Sequence, residues 1–249
     1  MDTLLGTGVR VEADLMATIG ISGVEGFAQA ARELHSAPNE TELLRLAVDL
    51  AVRIIAGGDH AGVSVVRGRA LSTPVASDDV VRRGDALQYQ LGEGPCLDAV
   101  RLQDTVISPN LAEEVRWPEW TPRATSVLGV KAMMALWLST SVDPDKPDSY
   151  GALNVYSDSL DPFGPNEYAV AETLAALISV ALASHREIRG RGIAMASRTI
   201  IGQAEGIVME KLGIDADQAF AYLRRVSQSK NRKLIMICHE IVNTRRLPQ

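Results

Sequence analysis

Apolar residues recur along this chain in two rhythms. Leu43, Leu46, Ala47, Leu50, Ala51 and Ile54 fall three and four apart, the spacing of one helix face. Asn39 with Glu42 three residues on gives a capping-box-like start, and Gly57-Gly58 stop the run. A shorter amphipathic helix is predicted from Gly23 to His35, with Phe27, Ala30, Ala31 and Leu34 on one face and Pro38 closing it. Residues 1–22 carry little pattern and are expected to be loosely ordered.

The rhythm then shortens. GVSVV (62–66) and TVIS (105–108) read as short strands. KAMMALWLST (131–140) and YGALNVYS (150–157) read as longer ones, joined as a hairpin across the turn-rich SVDPDKPD. GEGPC (92–96) predicts a tight turn into a short helix, and VRWPEWTPRA a Pro- and Trp-rich connection. Helices mixed with strands in this way predict an α+β domain on an antiparallel sheet.

After Asp161-Pro162 the pattern is helical to the end. Tyr168, Ala171, Leu174, Leu177, Ile178, Ala181, Leu182, His185 and Ile188 form one stripe. It falters at Gly190 and Gly192 and resumes through Ile201, Ala204, Val208 and Leu212. So long a run predicts a linking helix or coiled coil between two domains. Gly213 is a C-cap, and Asp215 with Gln218 opens a helix burying Ala219, Phe220, Leu223 and Val226. A last helix carries Leu234, Ile237, Cys238, Ile241 and Val242, so the C-terminal part is expected to be a three-helix bundle.

Charge sharpens this division. The chain has a net charge of −6, yet residues 190–249 hold 10 Lys+Arg against 5 Asp+Glu, a net of +5, leaving −11 for the remainder. YLRRVSQSKNRKL (222–234) carries five positive charges and no negative one. A basic tail on an acidic body points to an anionic partner for the tail, although a solvated helix face would look the same. No apolar run reaches the roughly 18 residues of a membrane span, and the N-terminus lacks the basic segment of a secretory signal. The two cysteines, Cys96 and Cys238, form no C-x-x-C, as in a reduced cytoplasmic protein.

Candidate chemistry is sparse. The histidines at 35, 60, 185 and 239 have no metal-ligand spacing, and no Walker loop, G-x-G-x-x-G or nucleophile elbow occurs, so neither metal nor cofactor is expected. Asp143, Asp145, Asp148, Asp158 and Asp161 lie in loops where turn chemistry accounts for them. Cys96 is a candidate redox-sensitive residue, because a helix N-terminus lowers a thiol pKa; a buried small hydrophobe is the plainer reading. Arg224 and Arg225 project from the polar side of their helix. Lys230, Asn231, Arg232 and Lys233 follow at the next turn and helix start, where free backbone N–H groups also favour an anion.

Two stretches resemble known families. GQAEGIVMEKLGIDADQAFAYLRRVSQSKNRKL is similar to the ANTAR module, through Ala204, Gly206, Met209, Ala216, Ala219, Phe220, Leu223, Ser227, Asn231, Lys233 and Leu234. Residues 38–185 resemble a GAF domain, through GEGPCLDA, VRWPEW and GALNVYS. The expected organisation is an N-terminal segment (1–37), a GAF-like sensor (38–185), and a linking helix with an ANTAR RNA-binding bundle (186–249).

The resemblance implies a homodimer that binds paired hairpins in nascent transcripts and acts by antitermination. It also implies a small-molecule or protein signal at the GAF-like part. The RNA-binding residues are then Arg224, Arg225, Lys230, Asn231, Arg232 and Lys233. Glu205, where many such modules carry a basic residue, and the apolar Ile235-Met236 depart from the pattern. A DNA-binding output would need polar side chains on LIMICHEIV, whose front half is apolar. A thiol-dependent sulfoxide reductase would need a resolving cysteine near Cys96. The enzyme reading is the weakest and no enzyme activity is expected; the alternative kept is a sensor with a DNA-binding or protein-interaction helical output.

Overall fold

The computed structural model describes residues 24–68, 70–141 and 148–248. The chain divides into two compact units, Met1–His185 and Arg186–Gln249.

In the first unit, α1 (Val24–His35) and α2 (Glu40–Ile54) precede the sheet. The Asn39 side chain accepts from the Glu42 N–H at 3.0 Å, a cap worth about 1 kcal/mol. Strands β1 (His60–Arg67), β2 (Ala70–Ala76), β3 (Val106–Ser108), β4 (Ala132–Ser139) and β5 (Ser149–Ser157) form one antiparallel sheet, ordered β2-β1-β5-β4-β3. The expected hairpin is β4–β5, although most of its loop, with Asp143 and Asp145, lies outside the described residues, as do residues 1–22.

Strand alternation sorts the two cores. Ala61, Val63 and Val65 of β1 and Met134, Leu136 and Leu138 of β4 face α1, α2 and the first turns of α6 (Pro165–Leu212). Met133, Ala135, Ala152 and Tyr156 face the other way, against α3 (Asp79–Leu91), α4 (Pro95–Leu102) and the buried Trp117 and Trp120. The Pro- and Trp-rich connection contains a short helix, α5 (Trp120–Arg123), running into a π-turn at Ala124–Leu128.

Two elements were not visible in the pattern. Strand β2 contains Pro74, tolerated because β2 is an edge and the register slips there: Val63 pairs with Val75 but Val65 with Ser72. Thr73 and Pro74 therefore both stand opposite Ser64, and the Thr73 hydroxyl at this bulge donates to the buried Asp85. Helix α3 buries Val81, Gly84, Asp85 and Gln88 at helical spacing, so its inward face is largely polar and was not seen as a core stripe.

The second unit packs α6 against α7 (Ala216–Ser229) and α8 (Leu234–Thr244) around Ala204, Val208, Ala219, Leu223, Ile237, Cys238 and Ile241. Gly213 adopts the left-handed conformation after α6, and Asp215 with Gln218 completes a capping box on α7. Phe220, expected in the core, is instead exposed. The inward stripe of α7 runs through Ala219 and Leu223, and Phe220 sits one residue, about 100°, round the helix from it.

Helix α6 spans 48 residues, and its most apolar window reaches a mean hydropathy of 1.4, long and apolar enough by composition to cross a membrane. Its apolar side chains Ala171, Leu174, Ile178 and Leu182 are nevertheless part of the first unit's core.

Candidate nucleic-acid interface and sensor interior

The six residues predicted to contact RNA lie on one short stretch, the last turns of α7 and the turn into α8, and all are exposed. That turn is stitched by Ser227, whose hydroxyl donates to the Arg232 carbonyl at 2.6 Å while its own carbonyl accepts from the Arg232 N–H at 3.0 Å. Asn231 sits at φ 48°, a left-handed position that asparagine tolerates better than most residues, so the fold itself has a use for it. Helix α8 starts at Lys233 with no side-chain cap.

The cations differ in availability. Arg232 donates to Glu240 at 2.6 Å, so α8 partly neutralises it. Among the described residues, none forms an ion pair with Arg224, Arg225 or Lys233.

The GEGPC motif of the first unit builds something different. Gly94 has φ 135°, and a Cβ there would stand 2.3 Å from Gln88 Oε1. Gln88 Oε1 accepts from the Cys96 N–H at 2.8 Å, and its amide donates to the Tyr156 hydroxyl at 3.0 Å. Glu93 accepts from the N–H groups of Glu119 at 2.5 Å and Trp120 at 2.7 Å, fixing the entry to α5. Pro95 occupies the first turn of α4, where its missing N–H costs nothing.

Cys96 is therefore fully buried, its thiol donating to Ser64 Oγ at 3.1 Å. Burial, with the Asp85 carboxyl nearby, pushes its pKa up to about 12. This is opposite to the lowering expected from a helix N-terminus, because desolvation of a thiolate outweighs the dipole. The other cysteine, Cys238, is buried in the core of the second unit.

Around Ser64 lies a polar cluster that sequence reasoning missed. Asp85 is fully buried and accepts from Thr73 at 2.6 Å, Tyr156 at 2.6 Å, Asn154 at 2.9 Å and, more weakly, Ser64 at 3.4 Å. The Tyr89 hydroxyl bridges Ser64 at 2.5 Å and Thr73 at 2.8 Å. Burial raises the Asp85 pKa, and its hydrogen bonds only partly offset this. Burial, then the Asp85 charge, also raises Tyr89, and the phenol stays neutral. The signal was present in the spacing of Asp85 and Gln88 with Val81, which puts an acid and an amide on the inward face of a helix.

The family model for the GAF domain matches residues 37–183, and that for the ANTAR domain residues 193–242. The chain belongs to the GAF domain family and carries an ANTAR domain after it. GAF domains are sensors and ANTAR domains bind RNA in antitermination, so the architecture is that of a sensor-regulator, and both domains are regulatory.

Among solved structures, the chain is similar to the phytochrome photosensory core module of Stigmatella aurantiaca, at 15% identity and TM-score 0.52, over 79% of this chain and 44% of that one. It is also similar to the GAF domain of a Coxiella burnetii phosphoenolpyruvate-protein phosphotransferase, at 15% identity and TM-score 0.49, covering 66% and 94%. A third is free methionine-R-sulfoxide reductase from Neisseria meningitidis, at 14% identity and TM-score 0.49, covering 66% and 90%. No curated protein matches.

Proposed function

We propose that this chain is a signal-responsive RNA-binding regulator that works by antitermination, engaging paired hairpins in nascent transcripts as a cytoplasmic homodimer. The observation that carries the reading is the group Arg224, Arg225 and Lys233, exposed beside an uncapped helix start and, among the described residues, without an ion-pair partner. Arginine binds phosphate bidentately and stacks on a splayed loop base, and uncapped helix N–H groups add a partial positive charge. Residues 190–249 carry +5 on an otherwise acidic chain, so the field there favours a polyanion.

Two hairpins call for two ANTAR domains, and α6 offers a means of pairing them. Val180, Ile188 and Met195 on α6 are all exposed apolar residues at near-heptad separations. In this reading they meet a second copy of the same helix.

The direct test is to crosslink the chain to RNA in cells and sequence what is bound. Leader regions with paired hairpins upstream of terminators are the expected yield. Recovery of duplex DNA, or of RNA without such hairpins, contradicts the proposal.

A further inference from the structure

What the sensor receives is narrowed by two features of the polar cluster, and the inference here rests on the sensor reading. The first is a carboxyl that meets no cation among the described residues. Asp85 is fully buried, its partners are three hydroxyls and one amide, and among the described residues no Lys, Arg or His bonds or pairs with it. Buried acids are ordinarily paired with a positive group, because an unpaired buried charge is costly. The second is Asn154 Oδ1, buried in the same cluster and receiving no hydrogen bond. Asn154 Oδ1 lacks an N–H donor, and Asp85, which has one from the Asn154 amide, lacks a positive charge.

Tyr89 stands at the way in. Its hydroxyl is within the cluster, on Ser64 and Thr73, and the same residue lines an open groove of ≈ 490 Å³ together with Leu71, Leu97 and Val100. Arg101 also lines this groove, but its guanidinium is engaged by the Gly92 carbonyl at 3.0 Å and by Asp98 at 3.3 Å. The bulge in β2 presents Thr73, and α3 presents Asp85 one turn before Tyr89. Were the Tyr89 hydroxyl displaced, the oxygens of Ser64, Thr73 and Asp85 would face the groove.

We propose that the groove and the cluster are two halves of one ligand site, closed by Tyr89, for a small molecule with an apolar body and a protonated amine or amidine head. The head takes the place of the Tyr89 hydroxyl on Ser64 and Thr73, and its charge meets Asp85. Asn154 Oδ1 is the acceptor left for a further N–H. The body lies against Leu71, Leu97 and Val100. An anionic ligand would instead be drawn to Arg101, and a neutral one would leave Asp85 as it is.

Calorimetric titration of the full chain with benzamidinium, benzamide and benzoate separates these cases, since the three share a ring and differ in head-group charge. Benzamidinium is expected to bind at least about tenfold more tightly than the other two. Asp85→Asn, which keeps the shape and removes the charge, is expected to abolish that preference. Tyr89→Ala is expected to strengthen benzamidinium binding, because the ring no longer has to be moved. Equal affinities, tightest binding of benzoate, or binding of none of the three overturns the proposal on the wild-type chain alone, whether or not Asp85→Asn folds. Titrating two-hairpin RNA with and without saturating benzamidinium then tests the sensor reading separately. RNA affinity unmoved by a bound ligand would contradict that reading and leave the site standing.

Discussion

Gly94 shows how much one residue of the GEGPC motif carries. Its φ of 135° is a region that side chains rarely enter, and a Cβ would press on a Gln88 side chain whose amide is held through both its oxygen and its nitrogen. Gly94→Ala is expected to destabilise the first unit by about 2–4 kcal/mol, read from urea midpoints. A loss below about 1 kcal/mol would mean the loop can re-form without that contact. The motif announced a turn into a helix, and the turn is there. What it could not announce is that Cys96 ends up beside a buried acid, since Asp85 is distant in sequence from Ser64 and Asn154.

Asn231 is a second case at this scale. Because its φ of 48° serves the α7–α8 turn, alanine there would mix backbone strain with loss of the amide. Asn231→Gly keeps the turn and removes only the side chain. If the amide reads a base edge, this variant is expected to lose discrimination between cognate and scrambled loops while keeping its salt dependence. Unaltered discrimination would assign Asn231 to the turn alone.

At the scale of elements, apolar rhythm found what was amphipathic and missed what was not. α2, β4, β5 and the three helices of the ANTAR domain were legible because their inward faces are apolar. α3 was illegible because its inward face includes Asp85 and Gln88, and β2 because Pro74 and a bulge break its alternation. Both missed elements supply the polar cluster, so the pattern failed where the sheet face is polar.

The start of β1 is joined to these elements by His60, which pairs with Asp78, the N-cap of α3, at 2.8 Å and with Asp158 at 3.4 Å. Partial burial lowers the His60 pKa, but the Asp78 hydrogen bond and the two acidic charges outweigh it, and the net direction is upward. A folded-state pKa above the unfolded one adds stability below pH about 6.5 that is lost as pH rises through the folded value. Urea midpoints at about pH 5.5 and 8.5 should therefore differ more in the wild type than in His60→Gln. Identical differences would show that the pair contributes no linkage.

For the whole molecule, the division of charge was legible in full, and so was the order of the two domains. The sensory side was not, because its candidate site is assembled from β1, β2, α3 and β5, which meet only in the fold. Pairing of two chains belongs to this scale too. Light scattering over a broad concentration range should give a dimer, and Ile188→Glu with Met195→Glu should shift it towards monomer. A strict monomer at tens of micromolar, with and without RNA, contradicts the pairing.

The central claim is that the cations of the α7–α8 turn bind RNA phosphates. Titrating the full chain with one two-hairpin RNA across salt concentrations, for the wild type, Arg224→Ala and Lys233→Ala, tests it most directly. With about four to six phosphates met per ANTAR domain, each domain should contribute about −3 to −5 to the log–log salt slope. Each substitution should weaken binding of any sequence and flatten that contribution by about one unit. Neither side chain is part of the bundle core, so stability should change by no more than about 0.5 kcal/mol. A slope near zero, or unchanged affinity in both variants, would contradict the account and leave the charge as a solvated face.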